Sequence, residues 1–208
     1  MCPSRAAAVA LVLSAACAGC ESWTGGGFRA DGSEMPRLRQ VLALETGRVV
    51  ADVGAGKGEL TFALAREVGP KGHVFSTEID PARLQRLREA VVAAKLDNVT
   101  VVEARASETG LPPNCCDAIV LRRVYHHVTE PPGINASLLR SLRPGGVLAI
   151  VDFPPPFFLS RGLYGVPAQA VIREVTGSGF ELIRRFDDWP GRGPLGSYCV
   201  VFRRPAHS

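Results

Sequence analysis

An alternation of strand-like and helix-like segments, beginning at Arg48, most limits the folds open to this 208-residue chain. Short runs rich in apolar β-formers, such as 48–53 and 73–78, alternate with longer amphipathic stretches, such as 58–68 and 81–95. Apolar strands separated by helices predict a parallel sheet that is covered on both faces. We therefore expect an α/β fold with a doubly wound sheet.

The end of the chain departs from this alternation. Segments 179–186 and 197–205 both have strand composition, and about ten residues rich in glycine, proline and aspartate join them. Because this connection contains no helix, the two strands should pair antiparallel. With five earlier strands, we expect a seven-stranded sheet, mostly parallel with an antiparallel last strand, in one domain over 34–205. A helix over 34–45 should open this domain.

A glycine-rich loop, VGAGKG at 53–58, follows the first predicted strand. Glycines at this place let the main chain turn sharply and approach a ligand without a Cβ in the way. A dinucleotide-binding fingerprint would have its third glycine at position 59, where this chain has Glu59, and an acidic side chain opposes a diphosphate. The loop therefore indicates a nucleoside-like ligand without a diphosphate and argues against a nicotinamide dehydrogenase.

Three segments carry a resemblance to a known family: VVADVGAGKGEL at 49–60, VFSTEID at 74–80 and LRPGGVLAIVDF at 142–153. In this order they are similar to the class I S-adenosylmethionine-dependent methyltransferases, and within them to the type 11 group that includes quinone-biosynthesis enzymes. The likeness covers roughly residues 48–205. It implies a Rossmann-like fold, S-adenosyl-L-methionine as cofactor and methyl transfer as the activity.

The resemblance also implies a cofactor site at the carboxyl ends of the first two strands. It places the methionine end of the cofactor against Asp52, whose carboxylate suits the ligand's ammonium. The family's loop contacts fall on Gly54, Ala55, Gly56 and Gly58. Glu78 is assigned to both ribose hydroxyls, since a carboxylate accepts two hydrogen bonds at once. Asp80, directly before Pro81, is instead expected to cap the following helix.

One position departs from the family pattern. The acid that binds the adenine amino group in the family falls on Arg105, and arginine cannot accept this hydrogen bond. Either Arg105 stacks on the adenine ring, or the backbone of Ala106 and the side chain of Ser107 take over its recognition. Arg105 and Ala106 are therefore the candidates for the adenine end of the cofactor site.

The segment LRRVYHHV at 121–128 follows the fourth strand, where the family presents groups to the methyl acceptor. It lacks the Asn/Asp-Pro-Pro-aromatic motif used for amino groups of adenine or glutamine, and we expect a small-molecule acceptor. The candidate catalytic residues are Tyr125, His126 and His127. A base is needed only if the nucleophile must lose a proton, and His126 is then preferred over His127. Adjacent residues on a helix point about 100° apart, so at most one histidine should face the ligand. The alternative is that both histidines only pack or cap the loop.

The first twenty residues have the pattern of a lipoprotein-like signal peptide. One early cation, Arg5, precedes a short apolar run and then small residues around Cys17 and Cys20. The run is too short to span a bilayer, and the glycine-rich residues 21–33 are typical of a flexible linker. We expect one of the two cysteines to be acylated and the protein to be lipid-anchored or periplasmic in the cell envelope. A misassigned start codon would instead leave it cytoplasmic.

Composition excludes several other functions. The net charge of +4 arises from cations that are scattered among acids, so no nucleic-acid partner is expected. Three cysteines remain after processing: Cys115, Cys116 and Cys199. They lack the spacing of metal ligands, so no metal site is predicted. The main alternative to an enzyme is a non-catalytic S-adenosylmethionine-binding or scaffold protein that keeps the fold. No pattern in the sequence specifies an oligomeric state.

Overall fold

The structure, a computed structural model, describes residues 34–155, 165–190 and 196–206. Its seven strands form one sheet. In chain order they are β1 (Val49–Val53), β2 (His73–Glu78), β3 (Val99–Glu103), β4 (Cys116–Arg122), β5 (Leu142–Asp152), β6 (Glu181–Trp189) and β7 (Ser197–Arg203). Their order across the sheet is β3-β2-β1-β4-β5-β7-β6.

The strand pairing confirms the predicted doubly wound sheet. The first five strands pair in parallel, and β7 is antiparallel to both β5 and β6. Chain order reverses direction beside β1, because β2 lies on one side of it and β4 on the other. Ligands of open α/β sheets bind at such a switch point, beyond the carboxyl ends of the strands.

Helices cover both faces of the sheet. They are α1 (Glu34–Val41), α2 (Glu59–Val68), α3 (Pro81–Ala93), α4 (Pro131–Ser141) and α5 (Ala168–Thr176), with a 3₁₀ turn at Tyr125–His127. One core cluster joins α1 and α2 to sheet residues such as Ala118 and Val120. A second joins α4 and α5 to residues such as Ile119 and Leu121. Successive residues of β4 thus face opposite cores, as expected for a strand buried on both sides.

Three local features differ from the sequence prediction. Helix α1 ends at Val41 rather than at residue 45, because Ala43 adopts a left-handed conformation with φ 49°. The sequence predicts a turn at RPGG, 143–146, and a strand from Val147, whereas β5 begins at Leu142 and includes the turn residues, with an irregular register opposite Cys116. Helix α5 was not predicted; its buried residues, at 168, 171 and 175, recur at helical spacing.

Several predicted features lie outside the described residues. These are the signal peptide at 1–20, the linker at 21–33 and the two candidate acylated cysteines, Cys17 and Cys20. Within the described part of the chain, no helix is both long and apolar enough to cross a membrane. The same residues contain no group of three or more His, Cys, Asp or Glu side chains that could hold a metal ion.

Candidate functional site

Two cavities that share Gly54 as a lining residue lie at the carboxyl edge of the sheet. The larger, of about 310 Å³, follows the ends of β1, β2 and β4. The smaller, of about 220 Å³, lies over the glycine loop. Gly54 lines both cavities, so together they suit adjoining parts of one elongated ligand. A roomier cavity of about 510 Å³ lies at the opposite edge, beside His73 and Asn98, and contains none of the predicted site residues.

The glycine loop is tied to the end of β2 by its backbone. The N–H groups of Gly54 and Ala55 both donate to the carbonyl of Thr77, at 3.0 and 2.8 Å. The next glycine, Gly56, donates its N–H to Oε2 of Glu78 at 2.9 Å. The loop therefore takes its shape from the neighbouring strand, and its position depends on the parallel pairing of β1 with β2.

The three glycines of the loop have different reasons to be glycine, although all have positive φ. A Cβ on Gly54 would lie 2.6 Å from Val124, and a Cβ on Gly58 would lie 2.5 Å from Leu87. A Cβ on Gly56 would meet no protein atom within 4 Å. Gly54 and Gly58 are thus required by packing, whereas Gly56 leaves open space for a ligand.

The carboxylate of Glu78 lies at the junction of the loop and the larger cavity. Glu78 is 3% exposed and lines that cavity. Its Oε1 accepts hydrogen bonds from the backbone of Ile79 and Asp80, and Oε2 accepts the one from Gly56. A carboxylate has about four acceptor positions, so one is left for a ribose hydroxyl. Accepting both hydroxyls requires the Gly56 N–H to give up its bond.

Asp52 supplies a buried carboxylate to the smaller cavity and is 2% exposed. Its Oδ2 accepts a 2.7 Å hydrogen bond from Thr61 Oγ1, which also lies 2.7 Å from Ser76 Oγ. Burial raises the pKa of Asp52 to about 6, and the bond from Thr61 and the charge of Arg122 offset this only in part. The site therefore favours a positively charged ligand group beside Asp52.

Arg105 and Ala106 are the residues that the resemblance assigns to the adenine end of the cofactor. Both are exposed and line the larger cavity. Reciprocal backbone hydrogen bonds between Arg105 and Glu108, at 2.7 and 3.2 Å, fix the turn that carries them. The backbone of this turn is therefore fixed beside the cavity that Arg105 lines, which is compatible with stacking of its guanidinium on a planar ring.

Tyr125 lies in the core and does not line either cavity. Its side chain is fully buried, and its hydroxyl lies 2.9 Å from Asn135 Nδ2 and 3.1 Å from Glu174 Oε2. These contacts tie the 3₁₀ turn to α4 and α5. This environment favours a structural role for Tyr125 rather than the catalytic one that was predicted.

His126 is held by a carboxylate at the end of β5. Its Nδ1 lies 2.8 Å from Oδ1 of Asp152, and its backbone N–H donates to Oδ2 at 3.1 Å. Asp152 is fully buried, His126 is 6% exposed, and Phe153 packs against the imidazole with ring centroids 4.9 Å apart. A carboxylate at Nδ1 fixes the orientation of the ring. His126 is not among the described residues that line either cavity.

His127 is exposed and lines the larger cavity with Glu78. Its ring packs on that of His126, with centroids 3.9 Å apart. Partial burial of the ring lowers the pKa of His127, and a positive charge on His126 would lower it further. His127 is therefore neutral at pH 7 and able to accept a proton, and it alone of the two histidines lines the cavity.

Sequence reasoning missed two charged residues of this region. Asp152 is the last residue of β5, just as Glu78 is the last residue of β2. An acidic residue at the end of an apolar strand was therefore the sequence signal that could have identified Asp152 as a site residue. Arg123 directly follows β4 and lines the smaller cavity with Arg122. The position of both residues at the end of a central strand was readable from the sequence, but the surroundings that give them a role come from other segments of the chain.

Comparison with known proteins gives the family. A family model described as "Methyltransferase domain" matches residues 44–171, which is more than half of the chain. The chain therefore belongs to this methyltransferase family. This membership agrees with the class I methyltransferase fold that the sequence predicted. It also confirms the prediction that the cofactor is S-adenosyl-L-methionine.

Relatives and solved structures agree with this family. A ubiquinone/menaquinone biosynthesis C-methyltransferase of Vibrio cholerae is 35% identical over 114 residues, which are 53% of this chain and 43% of that protein. A demethylmenaquinone methyltransferase of Listeria monocytogenes is 30% identical over 117 residues, 56% of this chain and 49% of that protein. The chain thus matches about half the length of these relatives. A methyltransferase structure from Aquifex aeolicus has the same fold, with TM-score 0.71, 23% identity and coverage of 82% of this chain and 89% of that one.

The residues present fit S-adenosylmethionine. The cofactor joins a nucleoside to a methionyl group through a sulfonium, and the two cavities join at Gly54. Glu78 lies in the nucleoside-sized cavity and Asp52 in the other, where the methionyl ammonium would meet its carboxylate. The open space beside Gly56 allows the ligand to approach the backbone closely.

We predict that Gly56→Ala weakens binding of S-adenosylhomocysteine at least tenfold. The added Cβ meets no protein atom and so occupies only the space that the ligand needs. Gly145→Ala is the matched control, because Gly145 also has positive φ and open space but lies in β5 away from the site. Each variant should lose about 1 kcal/mol of stability. Calorimetric titration should separate them; equal affinities would place the ligand elsewhere.

We predict that affinity for S-adenosylhomocysteine rises with pH between 5 and 7. The ammonium binds ionised Asp52, whose pKa is raised to about 6 in the free protein. The binding-competent fraction is then about a tenth at pH 5, and the dissociation constant should be about tenfold larger than on the plateau above pH 7.

The control for this pH dependence is Asp52→Asn, which keeps the shape of the side chain. It should bind more weakly at pH 7 and show a flat profile between pH 5 and 7. A profile in Asp52→Asn that matches the wild type would assign the titration to another group.

Proposed function

We propose that the protein transfers the methyl group of S-adenosylmethionine to a small-molecule acceptor. The observation that carries the proposal is the pair of cavities joined at Gly54, with Asp52 in one and Glu78 in the other. A carboxylate at each end matches the ammonium and the ribose of this cofactor and suits no diphosphate. The sulfonium then lies near Gly54, beside the residues that follow β4.

Methyl transfer from a sulfonium is a displacement in which charge disperses, so orientation and exclusion of water supply most of the rate. The larger cavity has apolar walls near Gly54, formed by Val53, Leu121, Val124 and Val128. Of these, Val124 has the side chain that a Cβ on Gly54 would meet. Such walls favour an uncharged or aromatic acceptor. The name of the Vibrio relative refers to ubiquinone/menaquinone biosynthesis and that of the Listeria relative to demethylmenaquinone, which makes hydroquinones and phenols the first acceptors to assay.

His127 is the proposed base for an acceptor that must lose a proton. His127 lines the larger cavity, its pKa is lowered by burial, and its ring packs against that of His126. Asp152 in turn orients His126. The sequence favoured His126 for this role, whereas the burial of His126 favours His127.

The proposal is tested by incubating the protein with S-adenosylmethionine and a panel of hydroquinones and phenols, and measuring S-adenosylhomocysteine by mass spectrometry. For the best acceptor, His127→Gln should lower the turnover rate about 100-fold, the lower end of general-base effects. His73→Gln is the matched control, because His73 lies at the opposite edge of the sheet, where its Nε2 is 2.9 Å from Thr100 Oγ1. Cofactor binding without turnover on any acceptor would favour the non-catalytic alternative.

We also propose that the protein is anchored in the cell envelope by a lipid on Cys17 or Cys20. The support is the sequence alone: a short apolar run, small residues before each cysteine, and a glycine-rich linker that would let the domain beginning near Glu34 stand away from the membrane.

The full-length protein should therefore fractionate with membranes and be released by detergent. Replacing both Cys17 and Cys20 by serine should move it to the soluble fraction, whereas replacing Cys115 by serine should not. Wild-type protein found in the cytosol with residues 1–20 intact would contradict the anchor and leave the methyltransferase proposal standing.

A further inference from the structure

Arg123, the residue directly after β4, combines two features that are unfavourable for the fold alone. Its φ of 59° puts a non-glycine residue in the left-handed region. Its half-buried guanidinium has no hydrogen-bond partner within residues 34–155, 165–190 and 196–206. Burial lowers the pKa of Arg123 and the charge of Arg122 lowers it further, while the carboxylates of Glu34 and Asp152 offset this only in part. Unfavourable features that coincide beside a cavity indicate a functional constraint.

Arg123 lines the smaller cavity together with Asp52 and the glycine loop. Strands β1 and β4 are parallel neighbours in which Val53 lies opposite Leu121. Such strands are about 4.8 Å apart, so the glycine loop and Arg123 leave the sheet side by side. A hydrogen bond of 2.7 Å from the backbone N–H of Arg123 to the carbonyl of Val151 fixes the residue there.

The other cations of this cavity are in different situations. Nε of Arg122 donates to both carboxylate oxygens of Glu34, at 3.0 and 3.1 Å. Glu34 is 1% exposed and also accepts a hydrogen bond from Trp189, so Arg122 is part of a structural ion pair. Lys57 is exposed to solvent. Arg123 is thus the partly buried cation of this cavity whose guanidinium, within the described residues, has no hydrogen bond to a carboxylate, although Glu34 and Asp152 act on its charge from a distance.

We propose that Arg123 binds the α-carboxylate of the methionyl end of S-adenosylmethionine, while Asp52 binds the α-ammonium on the same carbon. The inference rests on the proposed cofactor site and adds to it the residue that recognises the second charge. A planar guanidinium pairs with a carboxylate through two parallel hydrogen bonds. The zwitterion then gives each of the two protein charges an opposite charge in direct contact, where the fold offsets their burial only in part.

The test compares two ligands that differ only in this carboxylate: S-adenosylhomocysteine and its decarboxylated analogue. Calorimetry on the wild-type protein should show a preference for S-adenosylhomocysteine of roughly 10- to 150-fold, the range expected for hydrogen bonds between charged groups. Arg123→Ala should reduce this preference to about threefold or less, because it weakens the binding of S-adenosylhomocysteine and leaves the affinity for the analogue unchanged. Arg123→Lys should keep part of the preference, because it retains the charge without the planar fork.

Two further variants separate recognition from folding. Arg123→Gly should lose the preference as Arg123→Ala does, yet melt at a higher temperature than Arg123→Ala, because glycine adopts positive φ without strain. Arg105→Ala removes an exposed cation from the larger cavity. It should change both affinities by the same factor and so preserve the preference.

A preference that survives in Arg123→Ala and Arg123→Gly would overturn the assignment of Arg123. Equal binding of both ligands by the wild type would also overturn it, while leaving the cofactor site in place. Failure of the wild type to bind either ligand would overturn the cofactor site itself, and the role of Arg123 with it.

Discussion

The parallel pairing of β1 with β2 on one side and β4 on the other is the constraint on which the site depends. It brings the carboxyl ends of three buried strands to one edge, where Asp52, Glu78 and Arg123 meet the glycine loop. The loop has little freedom of its own, because three of its N–H groups donate to the end of β2. The shape of the cofactor cleft is therefore a property of the sheet rather than of a flexible loop.

The charges at this edge explain why the cleft suits a zwitterionic nucleoside. Glu78 is satisfied largely by backbone N–H groups and keeps one acceptor position for a ligand. Asp52 is buried with a raised pKa, and Arg123 is half-buried on a strained backbone. The ionised forms of Asp52 and Arg123 are less stable when buried alone than beside an opposite charge. Binding of a methionyl group, which carries both charges, therefore stabilises both side chains.

The sequence predicted most of this architecture because strand and helix periods are local properties. It located all seven strands, the antiparallel end and the glycine loop, and Asp80 caps α3 as expected from its place before Pro81. It preferred His126 over His127 as the base and could not distinguish the environments of Tyr125, His126 and His127. These adjacent residues differ only in tertiary partners, which lie in α4, α5 and β5. Arg123 was missed for the same reason, since nothing local marks it as lacking a partner.

The most direct test of the account is calorimetric titration of the protein with S-adenosylhomocysteine and, separately, with NAD. A cleft that has a carboxylate at each end and Glu59 at the start of α2 should bind one S-adenosylhomocysteine per chain and give no heat with NAD. Tight binding of NAD, with S-adenosylhomocysteine unable to displace it, would contradict the assignment of this edge of the sheet to a methyl donor.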